Sequence, residues 1–180
     1  MSNSKKKKLS PPSKSKSPIV LIHESLIQDS VVLLQQAKDE TSAHECILYW
    51  AGKSLGSEWI ITTCIVPRAE TTWGSFITSA ASNAEVIAFL ALYKLELLAQ
   101  VHTHPEDLVD HSAGDDAGAL MPFENFLSIV VPKYGSAGIL PLNQCGVHRY
   151  ESGRFRRLSN VEIEVGFKLI PIIHNFNNHL

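Results

Sequence analysis

Apolar positions fall along this chain in two rhythms. Largely apolar stretches bounded by Gly and Pro, at Cys46 to Trp50 and Trp59 to Val66, predict buried strands, and Leu98 to His104, entering Pro105, and the β-branched stretch Phe126 to Val131 predict two more strands. Apolar residues three and four apart predict helices over Ser25 to Ala37 and Ser82 to Leu97. The second carries Ile87, Leu90, Ala91, Lys94 and Leu97 on one stripe, with Ser82 or Asn83 as its cap. Gly146 to Tyr150 and Arg154 to Leu158 flank Ser152-Gly153 and predict a hairpin. Strands interspersed with helices, with no internal repeat, place the chain in the α/β or α+β class. Beyond residue 160, Ile163, Phe167, Ile170 and Ile173 keep a near-helical spacing broken by Gly166 and Pro171, which reads as a C-terminal extension over 161–180.

Charge divides the 180 residues unevenly. Six of the sixteen basic residues lie in the first seventeen positions, where there is no acid, leaving ten basic against eighteen acidic residues and a net charge of -8 on the remainder. Residues 1–18, rich in Lys, Ser and Pro, read as a disordered basic tail, because they offer too little apolar surface to offset the entropy of ordering. The acidic body over 19–160, the length of one domain, is a poor match for a phosphate backbone, so nucleic acid is not expected as a partner. No membrane span is expected either, since the apolar run Val86 to Tyr93 is far too short. Lys5 to Lys8 lead into polar residues rather than an export signal's apolar core. Cys46, Cys64 and Cys145 form an odd set with no CxxC pair, which suits reduced thiols in the cytoplasm.

The chemistry concentrates at Val101-His-Thr-His-Pro105. Residues two apart on a strand point the same way, so His102 and His104 present both imidazoles to one point. An isolated pair of this kind is more often a hydrogen-bonded core or surface pair. Ser112 and Asp115 follow in the loop that starts where this strand ends, and Asp115 can complete a site of two imidazoles and one carboxylate with a position open to water, the arrangement of catalytic zinc. Ser112-x-x-Asp115 also reads as an acidic capping box, and both readings can hold at once. Asp116 is the alternative ligand. Water activated at such a centre still needs a base; Glu45, at the mouth of the apolar strand Cys46 to Trp50, is either that base, its pKa raised by burial, or a solvated residue closing a loop. His111 and His44 flank the site in sequence and read as supporting or exposed residues. His23, His148, His174 and His179 have no chemistry near them. Ser112 and His111, being adjacent, cannot easily make a nucleophile-to-base bond.

Together, Glu45, His102-Thr-His104-Pro, seven residues, Ser112, two residues and Asp115 are similar to the JAMM motif (E, then H-S/T-H-x7-S-x2-D) of the MPN or Jab domain metalloproteases. Glu45 to Gly52 resembles that family's opening strand, with Leu48 where a Gly is often found. The resemblance covers Ile19 to Leu158. The Phe126-to-Pro132 strand, the Lys133-Tyr-Gly-Ser loop and Cys145 to Tyr150 bring it nearest to the short bacterial Jab domains. It implies a single domain of mixed β-sheet flanked by helices in a cytidine-deaminase-like layout. It also implies Zn2+ on His102, His104 and Asp115, Glu45 as proton shuttle and Ser112 as oxyanion donor. The implied reaction is cleavage after the C-terminus of a ubiquitin-like protein or its conjugates, beside ubiquitin-activating-like and ubiquitin-conjugating-like enzymes, antiphage systems included. Two alternatives stand beside it: a metallopeptidase acting on a sulfur-carrier adduct or small peptide, and a non-catalytic protein-binding scaffold. A substrate tail would lie extended along a strand edge, with Trp73, in the loop Ala69 to Ser79, either lining that groove or packing in the core.

Overall fold

A hydrophobic sheet sandwiched between unequal helical layers organises the chain. The computed structural model describes residues 17–37 and 42–171. In chain order the elements are β1 (Ile19–His23), α1 (Glu24–Leu34), β2 (Ile47–Leu55), β3 (Glu58–Ile65), β4 (Ala69–Thr72), β5 (Ser75–Thr78), α2 (Ala80–Tyr93), β6 (Glu96–Thr103), α3 (Ala113–Gly118), β7 (Leu127–Val131), β8 (Gly146–Glu151), β9 (Arg154–Arg157), α4 (Asn160–Gly166) and β10 (Phe167–Ile170). Eight strands form one sheet in the order β10-β1-β3-β2-β6-β7-β8-β9, and β4 and β5 form a separate pair. Parallel pairings of β1 with β10 and β3, and of β6 with β7, sit among antiparallel ones, so the sheet is mixed and the class α+β.

Strand β2 shows why its sequence reads as an unbroken apolar run. Leu48 and Trp50 enter the larger core with Val20, Ile61, Val101, Ile129 and the α1 residues Ile27 and Leu34. Ile47 and Tyr49 point to the opposite face, against Val86 of α2. The Trp50 indole N–H, wholly buried, is satisfied by Ser30 Oγ at 2.9 Å, and that hydroxyl donates onward to the Leu26 carbonyl. Both central strands therefore lie under cover, which fixes the positions of anything carried at their ends.

Several elements differ from the sequence reading. Strand β2 does not stop at Trp50 but continues through Gly52 to Leu55, with a register shift between Ala51 and Gly52. A Cβ at Gly52 would lie 1.8 Å from the Ile60 carbonyl oxygen, so the glycine permits close backbone approach rather than ending the strand. Helix α2 starts earlier: its cap is Ser79, not Ser82 or Asn83, with Ser79 Oγ accepting the Ser82 N–H at 3.1 Å. It ends at Lys94 in the left-handed region, so Leu97 belongs to β6. Val86 is buried under it, while the expected stripe residue Ile87 is 44% exposed. The stretch Ala69 to Ser79 is not a loop but the hairpin β4–β5. The segment beyond residue 160 is not a separate helical extension: α4 is followed by β10, which pairs in parallel with β1 at the sheet edge. Strand β1 had no predicted counterpart.

The hairpin β8–β9 turns at Ser152 (φ 53°) and Gly153 (φ 86°), the two positive φ values that a tight two-residue turn requires. The expected basic tail falls almost wholly in residues 1–16, and the end of the chain in 172–180; both lie outside the described residues. All three cysteines are free thiols. Among the described residues no helix is long and apolar enough to cross a membrane.

Candidate metal centre

The centre of the sheet delivers the two histidines. His102, on β6, sits between Ile47 of β2 and Val130 of β7 and is completely buried. His104 lies one residue beyond the strand, yet its N–H still bonds the Val131 carbonyl at 2.9 Å, so strand geometry persists and both rings leave on the same side. Their centroids are 5.1 Å apart.

The third member arrives through a helix cap. Ser112 is the N-cap of α3, its Oγ accepts the Asp115 N–H at 3.1 Å, and Asp115 Oδ2 accepts the Ser112 N–H at 2.7 Å. That reciprocal box leaves Asp115 Oδ1 3.3 Å from His102 Nε2, and Oδ2 3.4 Å from His104 Nε2. The capping reading of Asp115 holds, and the cap sets its carboxylate toward both imidazoles. Asp116, the alternative ligand, turns away and accepts from His111 Nδ1 at 2.7 Å.

A metal fits this group. Donor atoms of His102, His104 and Asp115 all lie within 4.8 Å of one another. Tetrahedral zinc with bonds of about 2.0–2.1 Å sets neighbouring donors about 3.3 Å apart, close to the distances of His102 Nε2 from Asp115 Oδ1 and of His104 Nε2 from the other carboxylate oxygen. Both ring nitrogens of His102 are buried without a hydrogen bond of good geometry, Nε2 facing Asp115 Oδ1 at 3.3 Å, and a metal would satisfy Nε2. The His104 Nδ1–H donates to the Leu108 carbonyl at 3.1 Å, because a carbonyl can only accept, and this leaves the Nε2 lone pair free toward the same point.

Electrostatics agree with a cation-binding pocket. Burial holds His102 below the usual imidazole range, hence neutral. For His104 burial acts in the same sense and is the largest single effect, but Asp115, Glu45 and the Leu108 carbonyl together outweigh it and raise the pKa. Burial alone would raise the Asp115 carboxyl; the two imidazoles and the Ser112 N–H overcome this and hold it well below the carboxylate range.

Glu45 stands at the entrance to β2, only 6% exposed, its N–H bonded to the Thr72 carbonyl at 2.8 Å. It is not the solvated loop residue of the alternative reading. Burial pushes its carboxyl up to about 7, with Asp115 adding to the rise and His104 opposing it. Glu45, His104, Ser112 and Asp115 line one groove of about 930 Å³ with Trp73 and Ile77. Trp73 is 69% exposed and belongs to that groove rather than the core.

Two contributors, Phe76 and Tyr134, escaped the sequence reading, and a third, His111, read only as supporting or exposed. Phe76 of β5 packs its ring against His102, with centroids 5.4 Å apart. The Tyr134 hydroxyl donates to the Trp73 carbonyl at 2.6 Å, tying the β4–β5 turn to the loop after β7. His111, its side chain 6% exposed, joins Asp116 to Ser128 of β7. Around Gly74 the sequence offers a turn residue between Thr- and Ser-rich flanks of weak apolar alternation; nothing local announces the long-range partners of Tyr134 and His111. His44 is bonded to Thr71 Oγ1 at 3.1 Å, and His23 to the Ile170 carbonyl at 3.0 Å. His148, given no role by its sequence context, is buried beside His111, and burial pushes it down to about 4.

The sequence matches no family model and no curated protein. Among solved structures the chain shares its fold with protein DSY2949 of Desulfitobacterium hafniense, at TM-score 0.62 and 12% identity over 90% of this chain and 100% of that one. A looser similarity, at TM-score 0.44 and 11% identity over 79% of this chain and 95% of the other, links it to AF2198, a JAB1/MPN domain protein of Archaeoglobus fulgidus.

Proposed function

We propose that this chain is a zinc-dependent isopeptidase of the JAMM type that hydrolyses the bond after the C-terminus of a ubiquitin-like protein. The observation that carries the reading is the convergence of His102, His104 and Asp115, with the buried His102 Nε2 lacking a hydrogen bond of good geometry, in a groove that also holds Glu45. A zinc ion held by these three residues would supply Lewis-acid polarisation of the scissile carbonyl and acidify a water.

Glu45, poised near neutrality, takes the proton of the attacking water and returns it to the leaving amine as the C–N bond breaks. Ser112 Oγ already accepts the Asp115 N–H, which leaves its hydroxyl proton to donate to the oxyanion of the tetrahedral species. Among the described residues β5 pairs with β4 alone, and its residues Ser75 to Thr78 line the groove. That free edge suits an extended substrate tail, whose backbone groups it would satisfy. Ubiquitin-activating-like and ubiquitin-conjugating-like enzymes are the partners that fit such a substrate, in the cytoplasm and in an antiphage or related conjugation system. The complete ligand set supports catalysis over a scaffold role.

The test is kcat/KM for a cognate ubiquitin-like fusion against a peptide of its last few residues, with Glu45→Gln as the blank. The fusion should be cleaved after the modifier's final residue and much faster than the peptide, because remote contacts position the bond. A zinc chelator should stop the reaction. Equal efficiencies would move the substrate to small peptides, and cleavage surviving in Glu45→Gln would overturn the assignment of the base.

A further inference from the structure

The loop that carries Asp115 to the histidines spans residues 104–115 and ends in a helix of six residues, too short to hold itself in place. Beside the bond from Arg157 Nη1 of β9 to Asp110 Oδ1 at 2.8 Å, one of its attachments to the sheet is a chain of hydrogen bonds through His111. Gln100 Nε2 donates to Ser128 Oγ at 3.0 Å, and Ser128 Oγ in turn lies 2.8 Å from His111 Nε2. The proton on His111 Nδ1 then goes to Asp116 Oδ1 at 2.7 Å. Because a carboxylate only accepts, Nδ1 carries the proton toward Asp116, and in the neutral ring Nε2 accepts from the Ser128 hydroxyl.

Ser–His–Asp contacts of this kind would suit a serine nucleophile if the serine were open to substrate, but Ser128 is completely buried. Its place in the fold gives it another use. Gln100 and Ser128 are register partners on β6 and β7, the same strand pair that carries His102 beside Val130. Within α3's first turn, Asp115 faces the histidines and Asp116 faces His111. The His111 ring also packs on His102, with centroids 5.9 Å apart, and on His148 at 4.2 Å. The same loop closes on the sheet at Gly146, where a Cβ would lie 1.7 Å from the Val109 carbonyl oxygen.

We infer that His111 is a positioning residue: its bond to Ser128 anchors the Asp115-bearing helix to the histidine strands and selects Asp115 over Asp116 as the third metal ligand. This rests on the metal reading proposed above. Ser128 is the fixed end of the anchor, being buried in a central strand, while the Asp116 side chain is 55% exposed and serves to orient the ring.

The experiment measures zinc dissociation constants by competition with a chromophoric chelator, alongside thermal unfolding of the metal-free proteins. His111→Ala and Ser128→Ala should each weaken zinc binding by about 10- to 100-fold, the range for lost outer partners of metal ligands. His111→Gln, which sets an amide near the Nε2 position, should keep most of the affinity, whereas His111→Asn, which mimics Nδ1 and loses the Ser128 bond, should behave like His111→Ala. A role limited to packing would lower the metal-free Tm and leave zinc affinity unchanged. Equal affinities in wild type, His111→Ala and Ser128→Ala would overturn the inference. Should His111→Ala not fold, equal affinities of the Gln and Asn variants would overturn it. Wild-type protein that binds zinc no better than His102→Ala would instead remove the metal reading on which it rests.

Discussion

Ser112 and Asp115 hold each other through both backbone N–H groups, at 2.7 and 3.1 Å, so the residue that closes the cap of α3 is the one that faces the two histidines. Helix capping is local and depends on a three-residue spacing, whereas ligand placement is tertiary. Here one carboxylate faces both sides, one oxygen toward the cap and His104 and the other toward His102.

Ser112 can be tested apart from its cap. Ser112→Gly should change stability by only a few tenths of a kcal/mol, since glycine is tolerated at an N-cap, and Ser112→Ala by about 1 kcal/mol. Both should lower kcat by about 10²- to 10³-fold if the hydroxyl donates to the oxyanion. An unchanged kcat in the Gly variant would reduce Ser112 to a cap.

Glu45 makes the metal-free protein sensitive to pH. A carboxyl whose folded pKa stands at about 7 against an ordinary 4.5 is protonated in the native state where the unfolded chain has already lost its proton. The unfolded state then binds fewer protons, so this group's contribution falls as pH rises from 4.5 through 7. Metal-free Glu45→Gln should have a higher Tm than wild type at pH 8 and equal it near pH 4. A lower Tm for the variant at pH 8 would contradict the burial argument.

Gly52 provides a check on the sheet that carries the site. Ala at this position meets the Ile60 backbone, not a movable side chain, and should cost at least the about 1–3 kcal/mol typical of overpacking. Urea unfolding of Gly52→Ala against wild type measures it. A neutral substitution would mean that β2 and β3 approach less closely than 1.8 Å for that contact implies.

What could be read in advance follows from the range of the interactions. His102 and His104 on one strand face, the Ser112-to-Asp115 cap and the β8–β9 turn are set within a few residues, and all were legible. The pairing of β10 with β1 joins residues 147 positions apart in register, and a segment with Gly166 and Pro171 gave no strand signal. Hairpin β4–β5 was overlooked because its Thr and Ser residues make a weak apolar alternation. The shift of α2 has a similar cause: its apolar run continues into β6, so periodicity did not mark the Lys94 boundary. His111 stood beside a motif residue, but its partner Ser128 lies on another strand, and only the fold brings them together.

The most direct measurement of the central claim is zinc content by elemental analysis of wild type, His102→Ala, Asp115→Asn and Asp116→Asn, each purified and supplied with zinc. Wild type and Asp116→Asn should hold about one zinc per chain, as three protein ligands and a water define one site. His102→Ala and Asp115→Asn should hold essentially none. Zinc kept by Asp115→Asn and lost from Asp116→Asn would contradict the ligand set, and a wild type that takes up no zinc would contradict the metal centre itself.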